Sequence, residues 1–260
     1  MTMYRVRFLL LTLSTLLLPQ LAWSFDMSKT LDVGSWQERE EITYNAKGKK
    51  TNIATIWVGI VDKEDIAGVP HVWMEMRTQT YRENRKGERK PKGEQAIMKT
   101  SIETSALTDF DDPFNNMRKF AKDTIIKNGN AKPMRMRAGG VMADMILKAF
   151  GASVDFTLEP SGKTESINTP AGDFDADQYL GTGSVEMQVL IRRVRVDSEI
   201  DMWLSEDVPM GVVKQHITNT QGKKVTRIET QLLAHGNDAT SLIDNAEAQD
   251  MPGLNIFNPQ

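Results

Sequence analysis

Residues 53–61 read Ile-Ala-Thr-Ile-Trp-Val-Gly-Ile-Val, and residues 71–81 read His-Val-Trp-Met-Glu-Met-Arg-Thr-Gln-Thr-Tyr. Both are rich in β-branched and aromatic residues, and the second alternates at period two, the signature of strands. Gly68 supplies a turn between them. On the N-terminal side, Trp36–Tyr44 (WQEREEITY) is a polar-rich strand, joined to the first stretch by the turn Asn45-Ala46-Lys47-Gly48-Lys49. The three segments form an antiparallel meander.

Farther along, Ala96–Thr104 (AIMKTSIET) places Ile97, Lys99, Ser101 and Glu103 opposite Met98, Thr100 and Ile102, which predicts one wet face and one dry face. The middle of the chain reads differently. Asp112 with Pro113 resembles an N-cap followed by a first-turn proline, and Phe114, Met117, Phe120, Ala121, Thr124 and Ile125 recur at helical spacing until Gly129 and Pro133. A second helix is expected over Val141–Phe150, stopped by Gly151.

Strand patterns return at Val154–Leu158, Ile167, Phe174–Tyr179, Val185–Val196, Ile200–Leu204, Gly211–Thr218 and Val225–Leu233, punctuated by glycines. The expected class is therefore α+β and mostly antiparallel, with ten or eleven strands and two helices inserted midway. Residues 25–236 would form one β-rich domain, and residues 237–260, weakly periodic, a loosely packed tail.

At the N-terminus, Arg5 and Arg7 precede the apolar run Phe8–Leu18. Pro19 and Ala22-Trp23-Ser24 then give the helix break and small residues of a signal peptide cleaved after Ser24. The run is shorter than the ~20 residues that span a bilayer. With no cysteine there is no disulfide, no thiol chemistry and no lipidated cysteine. The expected location is the periplasm, without a lipid anchor.

The 32 basic against 35 acidic residues become 30 against 35 once Arg5 and Arg7 are removed, a net charge of about −5 with neutral histidines. Such a chain is a poor match for nucleic acid, and no later segment is long and apolar enough to cross a membrane as a helix.

Catalytic and metal motifs are missing from the sequence. His71, His216 and His235 stand in no metal-ligand spacing, and Asp109, Asp111 and Asp112 lack the glycine and glutamate of a calcium loop. No G-x-S-x-G elbow occurs. The reading is a non-enzymatic protein with no cofactor and no metal.

Two groups remain as candidate sites. Trp57, Trp73, Met74, Met76, Met98, Met187 and Trp203 lie in or beside strands, where methionine suits either an adaptable apolar binding surface or an ordinary core. Arg85, Lys86, Arg89 and Lys90 form a positive patch suited to anionic headgroups or, more simply, a solvated hairpin tip.

Two C-terminal stretches carry a family resemblance: Ile167-Asn168-Thr169-Pro170-Ala171-Gly172-Asp173-Phe174, then Ile200–Lys214 (IDMWLSEDVPMGVVK). Together they resemble a pattern found in exported bacterial proteins related to the LolA/LolB-like lipoprotein-carrier fold. The resemblance implies a strongly curved, incompletely closed β-barrel with helices on its concave side, enclosing an apolar cavity. It further implies a carrier of a lipid, lipoprotein or other apolar envelope ligand. The alternative is an envelope protein-interaction or outer-membrane assembly factor with a filled core and a protein partner.

Overall fold

The computed structural model describes residues 32–107, 120–137, 153–189 and 192–250. Thirteen strands form one sheet: β1 (Trp36–Asn45), β2 (Lys50–Ile66), β3 (Val69–Glu83), β4 (Arg89–Pro91), β5 (Ala96–Glu103), β6 (Phe120–Asn128), β7 (Met134–Arg137), β8 (Ser153–Thr169), β9 (Gly172–Val189), β10 (Arg192–Leu204), β11 (Val212–Gln221), β12 (Lys224–Gly236) and β13 (Gln249–Asp250). Their order is β13-β7-β6-β5-β3-β2-β1-β12-β11-β10-β9-β8, with β4 paired to β3 alone. Two antiparallel meanders, β1–β7 and β8–β12, are thus welded by the β1–β12 pair. The single parallel pairing among the described residues joins β13 to β7.

The sheet is open, ending at β13 and β8, and it curls on itself. Ile60, Val72 and Ile102 from the first meander share a core with Tyr179, Met202, Ile217 and Ile228 from the second. Burying a side chain of this size contributes about 1.5–3 kcal/mol, and this shared core holds the meanders together.

The α+β expectation is corrected, because no α-helix occurs among the described residues; their helical content is two short 3-10 turns, Thr104–Leu107 and Asn245–Glu247. Phe120–Asn128, the second half of the first expected helix, is a strand that pairs Ala96 with Asn128 and Lys99 with Ile125. The i, i+3, i+4 spacing of Phe120, Ala121, Thr124 and Ile125 was fortuitous. The β-branched run Thr124-Ile125-Ile126 carried the truer signal, and pairing on both sides of β6 fixes it. Asp112–Met117, the helix over Val141–Phe150 and the signal segment lie outside the described residues, and so does any helix on the concave side.

Two further boundaries moved. Val185–Val196, read as one strand, belongs to the β9–β10 hairpin, with Val189 opposite Arg192. Val154–Leu158 and Ile167 belong to the single strand β8, whose pairing with β9 shifts between Pro160 and Thr164.

The segment 237–250, read as loosely packed, is a strap. Trp36 Nε1 donates to Asp238 Oδ1 at 2.6 Å, and Ala239 N donates to Gly34 O at 2.8 Å. Ile243 is buried against Trp73, Ile97 and Ile125. Gln249 N then bonds Pro133 O at 3.0 Å, where the strap becomes β13.

Candidate functional site

Residues directly opposite one another in an antiparallel ladder share a face. Val58 lies opposite Met76, Met76 opposite Met98, Met98 opposite Ile126, and Ile126 opposite Met134. The adjoining row runs Ile60, Met74, Thr100, Thr124, Met136. Five methionines therefore share one face of β3, β5, β6 and β7, and each is half-buried rather than sealed.

Three of the predicted residues, Met74, Met76 and Met98, come together here. Met134, Met136 and Ile126 were missed, although the alternation in Pro133-Met134-Arg135-Met136-Arg137 could have revealed the first two.

The methionine rows run into a buried polar strip on β1. Gln37 lies opposite Val58, and Arg39 lies opposite Ile56. Gln37 is 1% exposed, Arg39 5% and Glu41 6%. Gln215 belongs to the same face, because Glu41 pairs with Thr230 and Thr230 with Gln215. Burial pulls the Arg39 guanidinium down to about 10, against the opposing pull of Glu41. Burial likewise pushes the Glu41 carboxyl up, more than Arg39 holds it down. Four atoms in this strip are buried without a hydrogen-bond partner: Gln37 Oε1, Arg39 Nε, Thr43 Oγ1 and Gln215 Nε2.

The tryptophans point elsewhere. Trp73 is 3% exposed on the opposite face of β3, where its indole donates to Glu64 Oε2 at 2.7 Å. Trp57 stacks on Trp36 with ring centroids 6.1 Å apart, and the Arg77 guanidinium carbon lies 3.7 Å from its ring centre. A Cβ at Gly59 would come within 2.5 Å of the Trp57 ring, so glycine there makes room for this stack. Trp203 sits in a separate core with Phe174, Val208, Val213 and Leu232, bonding Glu165 Oε2 at 3.0 Å. Met187 faces Val194 across the β9–β10 pair, and its side chain lies outside what the structure describes. The seven residues expected to line one cavity are thus divided among separate places.

The basic segment is the β3–β4 hairpin. Arg85, Lys86 and Lys90 are exposed at or beside its tip. Arg89 instead reaches back to Glu40, with its Nε 3.7 Å from Glu83 Oε1. Among the described residues no group of three or more His, Cys, Asp or Glu side chains could hold a metal ion. No helix among them is long and apolar enough to cross a membrane.

No family model matches the chain, and no curated protein matches it. Solved structures do align with it. A protein of Parabacteroides distasonis proposed to be a lipoprotein shares 15% identity at a TM-score of 0.36, over 79% of this chain and 96% of its own. A protein of Bacteroides fragilis proposed to be exported, with a YmcC-like fold, shares 15% at a TM-score of 0.35 over the same fractions. A LolA superfamily protein of Nitrosomonas europaea shares 10% at a TM-score of 0.24, over 86% of this chain and 96% of its own. The chain is similar to these proteins in outline, and the functional reading rests on its own sheet.

Proposed function

We propose that the chain is a non-catalytic binding or carrier protein of the bacterial envelope, and that it holds an apolar ligand, a lipid or the acyl part of a lipoprotein, against the methionine face. One observation carries the reading: Met74, Met76, Met98, Met134 and Met136 are gathered on one face and left half-buried. A sheet filling an ordinary core would seal such side chains, as this one seals Ile60 and Val72 at 0% exposure. Methionine is unbranched and polarizable, so one surface can mould to several chain shapes. Each methylene removed from water contributes about 0.8 kcal/mol, so partial coverage of an acyl chain gives useful affinity without chemistry. The N-terminal segment that reads as a signal peptide supports a periplasmic location for such a carrier.

The test is titration of the purified protein with the fluorescent fatty acid cis-parinaric acid. Trp57 and Trp73 lie on the opposite face, so the reporter is the probe's own fluorescence. Saturable binding that Met98→Lys abolishes is expected; binding that never saturates, or that Met98→Lys leaves intact, overturns the reading.

The second reading, an envelope assembly factor that takes a protein partner by strand addition, draws on β8, which ends the sheet. Pro160, the register shift beside it and Lys163 are devices by which edge strands resist pairing. They weigh against this reading. A protein crosslinked reproducibly through β8, with no extractable lipid, would favour it.

A further inference from the structure

The buried strip on β1 is costly as it stands. A guanidinium at 5% exposure retains a donor, Nε, with no acceptor, and the Gln37 and Gln215 side chains, each 1% exposed, retain Oε1 and Nε2 unpaired. Leaving such groups unmatched in a low-dielectric interior is strongly unfavourable. Glu41, whose charge opposes the effect of burial on Arg39, forms no ion pair with it within 4 Å among the described residues. A group that brings hydrogen-bond acceptors and negative charge to Arg39 would relieve this cost.

The strip also has a position. Gln37 opens the row that continues through Val58, Met76, Met98 and Ile126 to Met134. From Val58 to Met134 that row crosses four strand-to-strand steps, about 19 Å along the sheet at ~4.8 Å each. The cation with an unfilled donor, Arg39, stands two residues along β1 from Gln37 on the same face, beside the end of this track, its own row running through Ile56 to Thr78.

We propose that Arg39, with Gln37 beside it, binds the anionic headgroup of a single-chain amphiphile, a fatty carboxylate or its equivalent, whose tail lies along the methionine row. This rests on the reading that the methionine face holds an apolar chain, and it adds the polarity and direction of the ligand. The headgroup enters at β1 and the tail runs toward β7. A fully neutral lipid would leave the Arg39 donor without an ionic partner.

The test is competition for bound cis-parinaric acid by palmitate and by methyl palmitate, which share a tail and differ in headgroup charge. Palmitate is expected to displace the probe at a concentration about tenfold lower, since hydrogen bonds to charged groups are among the stronger ones. In Arg39→Met/Glu41→Leu, which replaces a buried charged pair by apolar groups and is generally tolerated, the two competitors should become equal while methyl palmitate keeps its wild-type potency. Equal potency on the wild-type protein would overturn the headgroup assignment, with water filling the strip, and would leave the apolar reading standing. Failure of the probe and both competitors to bind would remove both. Should the double variant not fold, the wild-type comparison still decides.

Discussion

Strands β3 and β5 have two faces with opposite fates. On one, Trp73, Glu75, Arg77, Ile97 and Lys99 lie under the strap. Glu75 at 0% exposure accepts from Arg77 Nε at 2.7 Å, Ser241 Oγ at 2.6 Å and Leu242 N at 3.1 Å, while Lys99 Nζ donates to Ile243 O at 3.3 Å. On the other, Met74, Met76 and Met98 remain half-buried. The more polar face is sealed under the strap, whereas the more apolar face is sealed at Val72, Thr100 and Ile102 and left half-buried at the methionines, so polarity alone does not decide which side is covered. Local pattern assigns side chains to faces, but the face that becomes interior is chosen by whatever covers it.

The largest way to break this contrast is at Glu75. Glu75→Ala leaves Arg77 at 15% side-chain exposure without its carboxylate and frees the strap's two donors. Removing one member of a buried ion pair costs about 3–5 kcal/mol. Urea unfolding should show a loss in that range, accompanied by faster amide exchange across 237–250. A loss comparable to that of a surface mutation would mean that the strap does not seal this face.

Ile243→Ala should come next. The side chain is 2% exposed between Trp73, Ile97 and Ile125, and such truncations cost about 2–4 kcal/mol where the site does not collapse. On the open face, Met98→Lys should cost less than about 1 kcal/mol, as changes at accessible positions usually do, while abolishing probe binding. Equal stability losses at Ile243 and Met98 would erase the distinction between the faces.

Much of the sheet was legible, and what was not has physical reasons. The hairpins announced themselves: Asn45-Ala46-Lys47-Gly48 closes β1 to β2, and Thr169-Pro170-Ala171-Gly172 closes β8 to β9 with Thr169 opposite Gly172. The strap was invisible because Thr240-Ser241-Leu242-Ile243 makes its contacts with main-chain groups and with side chains about 160 residues away, which no local period records. The site was half legible for the same reason. Met74, Met76 and Met98 share a face by alternation on paired strands, whereas residue type alone grouped Trp57 and Trp73 with them, although they occupy the opposite face. Arg39 and Glu41 read only as part of a polar-rich strand, and nothing in the local pattern shows that both are buried.

The smallest expected effect separates the faces by pH. Burial raises Glu41 above its ordinary 4.5, outweighing Arg39. The folded state therefore binds that proton more tightly than the unfolded chain, and stability must fall as pH rises from about 4.5 through the raised value. Lys99, beneath the strap, is lowered from 10.5 by burial, against the attraction of Glu75, Asp62 and Asp244. There the folded state resists the proton, so stability must fall as pH drops from 10.5 through the lowered value. Unfolding measured across pH should show Glu41→Gln removing the first slope while keeping the second, and Lys99→Met the converse. If Glu41→Gln retains the wild-type slope on the acid side, Glu41 is not the buried carboxyl described, and the strip around Arg39 is wetter than its geometry indicates.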